Sequence, residues 1–458
     1  MQKSQKVHFI AIGGSAMHNL AIALHKKGYK VTGSDDEIFE PSKSRLAKHG
    51  LLPKTEGWKE ENIHTDLDSV ILGMHARNDN PELIKAKTLG LKIYSYPEYI
   101  YEQSKNKTRV VIGGSHGKTS ITAMVLHVLQ KTNVDADYMV GAQLEGFETM
   151  VKITDAPVII LEGDEYLSSP IDRRPKFHLY QPNIALLSGI AWDHINVFPT
   201  FENYVEQFKI FIDLIEENGF LAYFENDKIL KELAETTIKN ITKVPYLTPS
   251  YYIDNGTTYL KTAHGDIPLI VFGEHNLQNL NGAKLICNQL GVKDADFYNA
   301  IATFKGAAKR LELIAKNNTV AVYKDFAHSP SKLKATTKAV KQQYPDRKVV
   351  ACMELHTFSS LNKNFLSEYE NAMSDADEAY VYYSEHTLEH KKLEHITPTE
   401  VKKAFASDNI EVINDSKQLV RLLENKNWNN SVLLLMSSGN FDGVDLNTFG
   451  EKIVESTN

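Results

Sequence analysis

Cysteine is nearly absent from the 458 residues. Only Cys287 and Cys352 occur, far apart and each in an apolar setting. That excludes a disulfide-stapled scaffold or a cysteine metal cluster and predicts two buried free thiols. No apolar run approaches the ~20 residues that a bilayer-spanning helix needs, so no membrane insertion is expected. Met1 to Val7 is polar and leads into a short strand, unlike a secretory signal peptide, and the cytoplasm is the expected location. There is no excess of charge of one sign: the net charge is −7, with basic and acidic residues well mixed. Nucleic acid and anionic membrane are therefore excluded as main partners. Small molecules remain, and a monomer or weak dimer is expected. Internal repeats and low-complexity tracts are also missing.

What is present reads as an ordinary globular chain, 42% hydrophobic and 24% charged, long enough for about three domains. The first segment alternates strand and helix. Val7–Ile12 is a short apolar run, Ala16–Lys27 puts Met17, Leu20, Ala21 and Leu24 on one side of a helix, and Tyr29–Gly33 is a second strand. Val70–Leu72 and Leu91–Ile93 predict further strands, and a boundary is placed near Lys107. The second segment opens with the strand Thr108–Ile112, then a glycine loop and a helix from Thr119 to about Lys131. Ala156–Leu161 and Ile184–Leu187 are apolar along their whole length, which suits a parallel sheet covered on both faces. Lys239–Pro268 predicts a small antiparallel addition and Asn276–Leu290 a helix. From Leu313 onward, Val320–Lys324, Lys348–Met353, Glu378–Tyr382 and Ser431–Met436 predict strands with helices between them, whereas the charged run Glu385–His395 predicts a solvated face. The expected fold is three successive α/β domains, residues 1–107, 108–312 and 313–458.

The strongest local signal is Gly113-Gly114-Ser115-His116-Gly117-Lys118-Thr119, with Ser120 following, between a strand and a helix. Backbone N–H groups and the helix N-terminus of such a turn face phosphates. Lys118 neutralises the outer phosphates and the Thr119 hydroxyl reaches Mg²⁺. Only three residues separate Gly113 from the Gly117-Lys118 pair, one fewer than in the usual phosphate loop. Magnesium prefers oxygen ligands, so acidic residues at neighbouring strand ends are expected. Val158–Leu161 runs into Glu162-Gly163-Asp164-Glu165, and Ala185–Leu187 leads to Trp192-Asp193-His194. In a parallel sheet these ends share one edge, where ligands of open α/β sheets collect.

Taken with Gly273-Glu274-His275-Asn276-Leu277-Gln278-Asn279, Arg310-Leu311-Glu312 and Asp325-Phe326-Ala327-His328-Ser329-Pro330, these motifs occur in the order seen in Mur ligases, and the resemblance covers nearly the whole chain. It implies a Rossmann-like UDP-sugar domain, a central P-loop ATPase-like domain and a Rossmann-like C-terminal domain that binds the amine. His116 resembles the branch that uses UDP-N-acetylmuramate. Asp164-Glu165-Tyr166, Asp172-Arg173-Arg174-Pro175-Lys176-Phe177 and Met436–Gly443 are similar to its murein-recycling members, which join that sugar to L-alanyl-γ-D-glutamyl-meso-diaminopimelate. L-alanine, as in precursor synthesis, is the alternative amine.

The resemblance implies ATP and Mg²⁺ as cofactors and a role for each matching residue. Lys118 contacts the β/γ-phosphates, Thr119 one Mg²⁺, and Glu162 and His194 a second. Asn276 and Asn279 meet the adenine side, and Arg310 a phosphate. Asp325 and His328 approach the nucleotide from the third domain, and His116 faces the muramate. UDP lies at the first glycine turn, Gly13-Gly14-Ser15, with Ser34 and Asp35 near the uridine. His75 and Arg77 touch the sugar, and Tyr166 and Arg173 the substrate. The chain also departs from the pattern. Phe208 stands where some members carry a carbamylated lysine, Lys324 replaces an acidic residue, and His356-Thr357-Phe358-Ser359-Ser360 lacks the arginine of the amine-side loop. The expected chemistry is phosphorylation of a carboxylate to an acyl phosphate, then attack by an amine. The sequence names no base for the amine proton. Folate-type chemistry and a non-catalytic nucleotide-binding protein are the rival readings.

Overall fold

The computed structural model describes residues 4–144, 146–192, 197–307 and 310–457. The chain divides into two compact units, residues 1–247 with 282–294, and residues 248–281 with 295–458. Each is taken in turn.

The first unit opens with a parallel four-stranded sheet. Its strands are β1 (Lys6–Ile10), β2 (Lys30–Ser34), β3 (Ser69–Leu72) and β4 (Ile93–Ser95), in the order β2-β1-β3-β4. The helix Ser15–Lys26 buries Met17, Leu20, Ala21 and Leu24, as its periodicity requires. Gly28 takes a left-handed φ of 94°, and the Tyr29 N–H then reaches back to the Leu24 carbonyl at 3.0 Å. This is the Schellman closure, in which an apolar residue follows a left-handed glycine. Gly90 and Leu91 repeat it after the helix Pro81–Thr88, with the Leu91 N–H 3.0 Å from the Ala86 carbonyl. Tyr29 and Leu91 are thus cap residues, and strands expected to begin on them begin one and two residues later.

A seven-stranded sheet follows, ordered β11-β10-β9-β5-β8-β6-β7. Its members are β5 (Thr108–Gly113), β6 (Ala136–Met139), β7 (Val151–Lys152), β8 (Val158–Glu162), β9 (Ile184–Leu187), β10 (Phe220–Phe224) and β11 (Thr242–Tyr246). All pairs are parallel except β6 with β7. The order places β5 between β8 and β9, so the glycine loop has an acidic strand end on one side and Ser188 on the other. Arg109 joins the two sheets' neighbourhoods. Its guanidinium donates to Lys105 O, Tyr180 O and Gln181 O, each at 2.9 Å, and to Ser104 O at 3.3 Å. It thereby satisfies carbonyls left open where the helix Tyr96–Ser104 ends.

The second unit contains an antiparallel three-stranded meander, β12 (Tyr251–Asp254), β13 (Thr257–Thr262) and β14 (Gly265–Leu269). The addition expected over Lys239–Pro268 is therefore smaller than its sequence range. β11 belongs instead to the central sheet, because Thr242–Tyr246 pairs in parallel with β10. The last sheet is ordered β15-β16-β20-β17-β18-β19. It comprises β15 (Glu312–Lys316), β16 (Val320–Asp325), β17 (Lys348–Leu355), β18 (Glu378–Tyr383), β19 (Ile410–Ile413) and β20 (Ser431–Met436), antiparallel only at β15. Apolar clusters cover both its faces. Cys287 and Cys352 are free and buried. No described helix is long and apolar enough to cross a membrane.

Candidate active site

The glycine loop leaves β5 and enters the helix Lys118–Lys131. Gly114 has φ +122°, and a Cβ there would lie 2.2 Å from Ser188 Oγ. Gly117, at φ +76°, caps the helix in the left-handed region. These two glycines let the backbone turn tightly beside β9 and start the helix with its first N–H groups open to an anion. Ser188 Oγ donates to the His116 carbonyl and, at 3.3 Å, to Gly113 O, fixing the turn. His116 is half-buried, with Nδ1 2.7 Å from the Ser115 carbonyl.

Lys118 Nζ donates to Gly114 O at 2.8 Å and lies 2.6 Å from Glu165 Oε2. Burial alone would push this lysine down. Glu165, Asp164 and Glu162 outweigh it and hold the ammonium above its ordinary range. Thr119 Oγ1 donates to Glu162 Oε1 at 2.8 Å, and Gly141 N–H donates to the other carboxylate oxygen at 2.9 Å. A buried hydroxyl and carboxylate side by side form an oxygen pair suited to Mg²⁺, which keeps waters and phosphate oxygens as its other ligands. Among the described residues no three His, Cys, Asp or Glu side chains form a metal cage. His194, the expected further ligand, lies outside the described residues with Asp193.

Ser115 and Ser34 are placed inward. The Ser115 N–H donates to Gly189 O at 3.0 Å, and its hydroxyl accepts from Ala191 N–H and meets Tyr204 OH, each at 2.8 Å. Ser120 is buried in the first turn of the helix. Ser34 Oγ donates to Glu82, whose fully buried carboxylate also accepts from Asn62 Nδ2 at 2.7 Å and Lys59 N–H at 2.9 Å. Asp35 accepts from Gly13 N–H at 2.6 Å, and burial pushes its carboxyl up to about 6. Gly14 caps the helix Ser15–Lys26, and Ser15, His75 and Arg77 are exposed at the same carboxyl edge of the first sheet. Asn19, fully buried one turn on, donates to Ser15 O at 2.8 Å and accepts from Met150 N–H at 2.9 Å. Lys176 Nζ pairs with Asp164 at 2.6 Å and stands over the Tyr166 ring, while Arg173 is exposed.

In the second unit, Asp325 ends β16 and accepts from Leu311 N–H and Ala327 N–H, each at 2.7 Å. Burial raises its pKa against the pull of Arg310 and these two donors. The Arg310 guanidinium stacks 4.8 Å from the Phe326 ring centre, and His328 Nδ1 lies 2.8 Å from the Phe326 carbonyl. Asn276 and Asn279 are both buried in the helix Glu274–Gln289, with Asn276 Nδ2 2.9 Å from Phe272 O. A cavity of about 240 Å³ is lined by Phe272, Asn276, Arg310, Tyr323 and Tyr344 among others.

Three side chains that the sequence did not single out complete the picture. Glu165 pairs with Lys118, and Tyr204 holds Glu165. Glu354 sits buried at the end of β17, where it accepts from Ser437 Oγ and from Phe441 N–H at 2.9 Å, with His356 Nδ1 3.6 Å away. The acidic run after β8 marked Glu165 as one of three candidates, but only the fold shows which of them meets the lysine.

A lysine-bearing glycine loop beside an acidic strand end, in a chain of successive α/β sheets, defines an enzyme that handles nucleotide phosphates. Family comparison narrows the class. Residues 6–108 match the Mur ligase family catalytic domain, 112–287 the Mur ligase middle domain and 309–439 the Mur ligase glutamate ligase domain. A UDP-N-acetylmuramate–L-alanine ligase from Caldicellulosiruptor bescii is 30% identical over 389 residues, 82% of this chain and 83% of that one. The fold matches that of the UDP-N-acetylmuramate–alanine ligase of Thermotoga maritima, with TM-score 0.70, 21% identity and 98% of each chain covered. It also matches a murein peptide ligase from Psychrobacter arcticus, with TM-score 0.64, 20% identity and 99% of each chain covered. The chain belongs to the Mur ligase family, and it is an ATP-dependent ligase that forms amide bonds.

Proposed function

We propose that the protein joins the carboxylate of UDP-N-acetylmuramate to the amino group of L-alanine in peptidoglycan synthesis. The observation that carries the two substrates is the extended identity to enzymes named for that reaction. The tripeptide expected from the sequence becomes the second reading. It is favoured by the stretches Asp164–Tyr166, Asp172–Phe177 and Met436–Gly443.

In this reading residues 1–107 bind the UDP-sugar, 108–312 the ATP and 313–458 the amine. Mg-ATP, when bound, supplies the phosphoryl group that makes a carboxylate oxygen a leaving group. Phosphoryl transfer asks a protein mainly for positioning and charge neutralisation. Lys118 supplies a fixed cation at the loop, already oriented by Gly114 O and Glu165. Thr119 and Glu162, 2.8 Å apart, would share one Mg²⁺ where two were expected, and His194 is the further ligand that the resemblance assigns. Ser115 keeps the loop in shape through its inward bonds, leaving the N–H groups of the helix start to the phosphates. Asn276, Asn279, Arg310, Asp325 and His328, all in the second unit, are the residues that the resemblance assigns to the nucleotide. Gly13, Gly14 and Ser15 receive the diphosphate of UDP, with Asp35 bracing the turn and Ser34 acting through Glu82. His75, Arg77, His116, Tyr166 and Arg173 face the sugar and the acceptor.

The test is phosphate release by purified protein given Mg-ATP and UDP-N-acetylmuramate, with L-alanine or with the tripeptide. Release with L-alanine is expected. Release with the tripeptide alone supports the second reading, and release with neither overturns both.

A further inference from the structure

Lys118 is paired inside the protein, and its partner is itself built in. Glu165 is 1% exposed, and its Oε2 lies 2.6 Å from Lys118 Nζ. Its other oxygen accepts from Tyr204 OH at 3.1 Å. Tyr204 is fully buried, on the helix Phe201–Asp213. Its hydroxyl proton goes to Glu165, so at 2.8 Å the Ser115 hydroxyl donates to Tyr204 while accepting from Ala191 N–H. The chain of donors runs from Ser115 through Tyr204 and ends on the Glu165 carboxylate. Such a charge-assisted network is held in place, unlike a surface ion pair.

The surrounding charges point the same way. Among the described residues, Lys118 and Lys176 pair with Glu165 and Asp164, and Glu162 adds a third carboxylate beside Lys118. A phosphate loop usually draws an anion by an uncompensated lysine and helix dipole. Here the lysine is compensated before any phosphate arrives.

We infer that Glu165, positioned by Tyr204, makes the loop selective for a nucleotide that brings its own divalent cation. A bare nucleotide polyphosphate meets a neutralised lysine and a fixed carboxylate, and binds weakly. A magnesium-complexed nucleotide carries fewer net negative charges and meets Thr119 and Glu162, which hold the metal. The inference rests on the reading of Lys118 as the phosphate-binding lysine.

The test is calorimetric titration of the full-length protein with ADP, once with Mg²⁺ and once with EDTA. Wild type should bind well only with Mg²⁺. Glu165→Gln keeps the shape and an acceptor for Lys118 but removes the charge. Its affinity for metal-free ADP should rise about tenfold or more, the scale of repulsion between unit charges several ångströms apart at intermediate dielectric. Its affinity for Mg-ADP should change much less. Glu165→Asp keeps the charge and should keep the wild-type preference. Thermal melting of each variant verifies that it is folded, and if Glu165→Gln does not fold, the wild-type and Glu165→Asp titrations decide. Wild type that binds ADP equally with and without metal overturns the inference. So does an unchanged ratio in Glu165→Gln, or a ratio lost equally in Glu165→Asp. Wild type that binds neither form overturns the phosphate-loop reading as well, which separates the two failures.

Discussion

Replacing Lys118 with methionine should do two separable things. It should abolish ligase activity, and it should destabilise the protein in the absence of any nucleotide. The second effect follows from Glu165, whose carboxylate is 1% exposed and would lose its cation. Breaking a buried ion pair by removing one partner costs about 3–5 kcal/mol, because the remaining charge is uncompensated. Two features place this case at about 2–4 kcal/mol by the same reasoning. The Lys118 side chain is 15% exposed, so water partly replaces it, and Tyr204 still donates to Glu165. Gly114 O also loses a donor, which acts in the opposite direction. Urea unfolding followed by intrinsic fluorescence measures the loss. The double variant Lys118→Met with Glu165→Gln removes the orphaned charge and should regain most of the stability while remaining inactive. A single variant within about 0.5 kcal/mol of wild type, the usual range for surface changes, would refute the reasoning. So would a double variant no more stable than the single.

Two further outcomes are expected. Asn19→Ala leaves the buried Met150 N–H without its partner and takes a donor from Ser15 O at the exposed helix start, and losing one buried partner costs about 1–3 kcal/mol. Chemical denaturation reads the loss, and KM for the UDP-sugar should rise because the glycine turn is no longer braced. Asp35 sets a pH dependence of definite sign. Its folded pKa is raised to about 6, above the ordinary carboxyl value, so the folded state binds more protons than the unfolded one between about pH 4 and 6. Its contribution to stability is therefore greatest at low pH and falls as pH rises through that window. Asp35→Asn, which still accepts from Gly13 N–H, should gain stability relative to wild type at pH 8 and show no gain at pH 4. Melting curves at the two values test this, and a gain confined to pH 4 would reverse the argument.

Much of the fold was legible because its strands are uniformly apolar and its helices carry their own punctuation. Val158–Leu161 and Ile184–Leu187 lie where an apolar run bounded by polar residues had to lie. Tyr29 and Leu91 read as strand starts for a physical reason: an apolar residue after a glycine looks like one, but here it closes a helix. Thr242–Tyr246 reads in sequence like part of the meander, but it pairs as an edge strand of the central sheet. At the site, Lys118, Thr119 and Glu162 were legible as chemistry at strand ends. Ser115 was legible as part of the loop, but its bond to Tyr204, and the pairing of Tyr204 and Lys118 with Glu165, were not, because those lie in who faces whom across the β8-β5-β9 layer. Ser34 illustrates the limit of position alone. It ends β2, one residue beyond the strand end expected at Gly33, and its hydroxyl turns inward to Glu82.

The polar stretch around Lys107 looks, in sequence, like a place where the chain could be cut. The fold ties it down on both sides. Lys107 Nζ is tied to Thr154 O at 2.7 Å and Ala156 O at 2.9 Å, and Arg109 grips carbonyls before and after it. A fragment starting at Thr108 would keep the guanidinium but lose the helix end it closes. A fragment ending at Lys107 would lose the guanidinium and leave that helix end open. The glycine turn after β1 and the glycine loop after β5 therefore belong to one tied stretch of chain. Dissection of this enzyme by gene truncation should begin elsewhere.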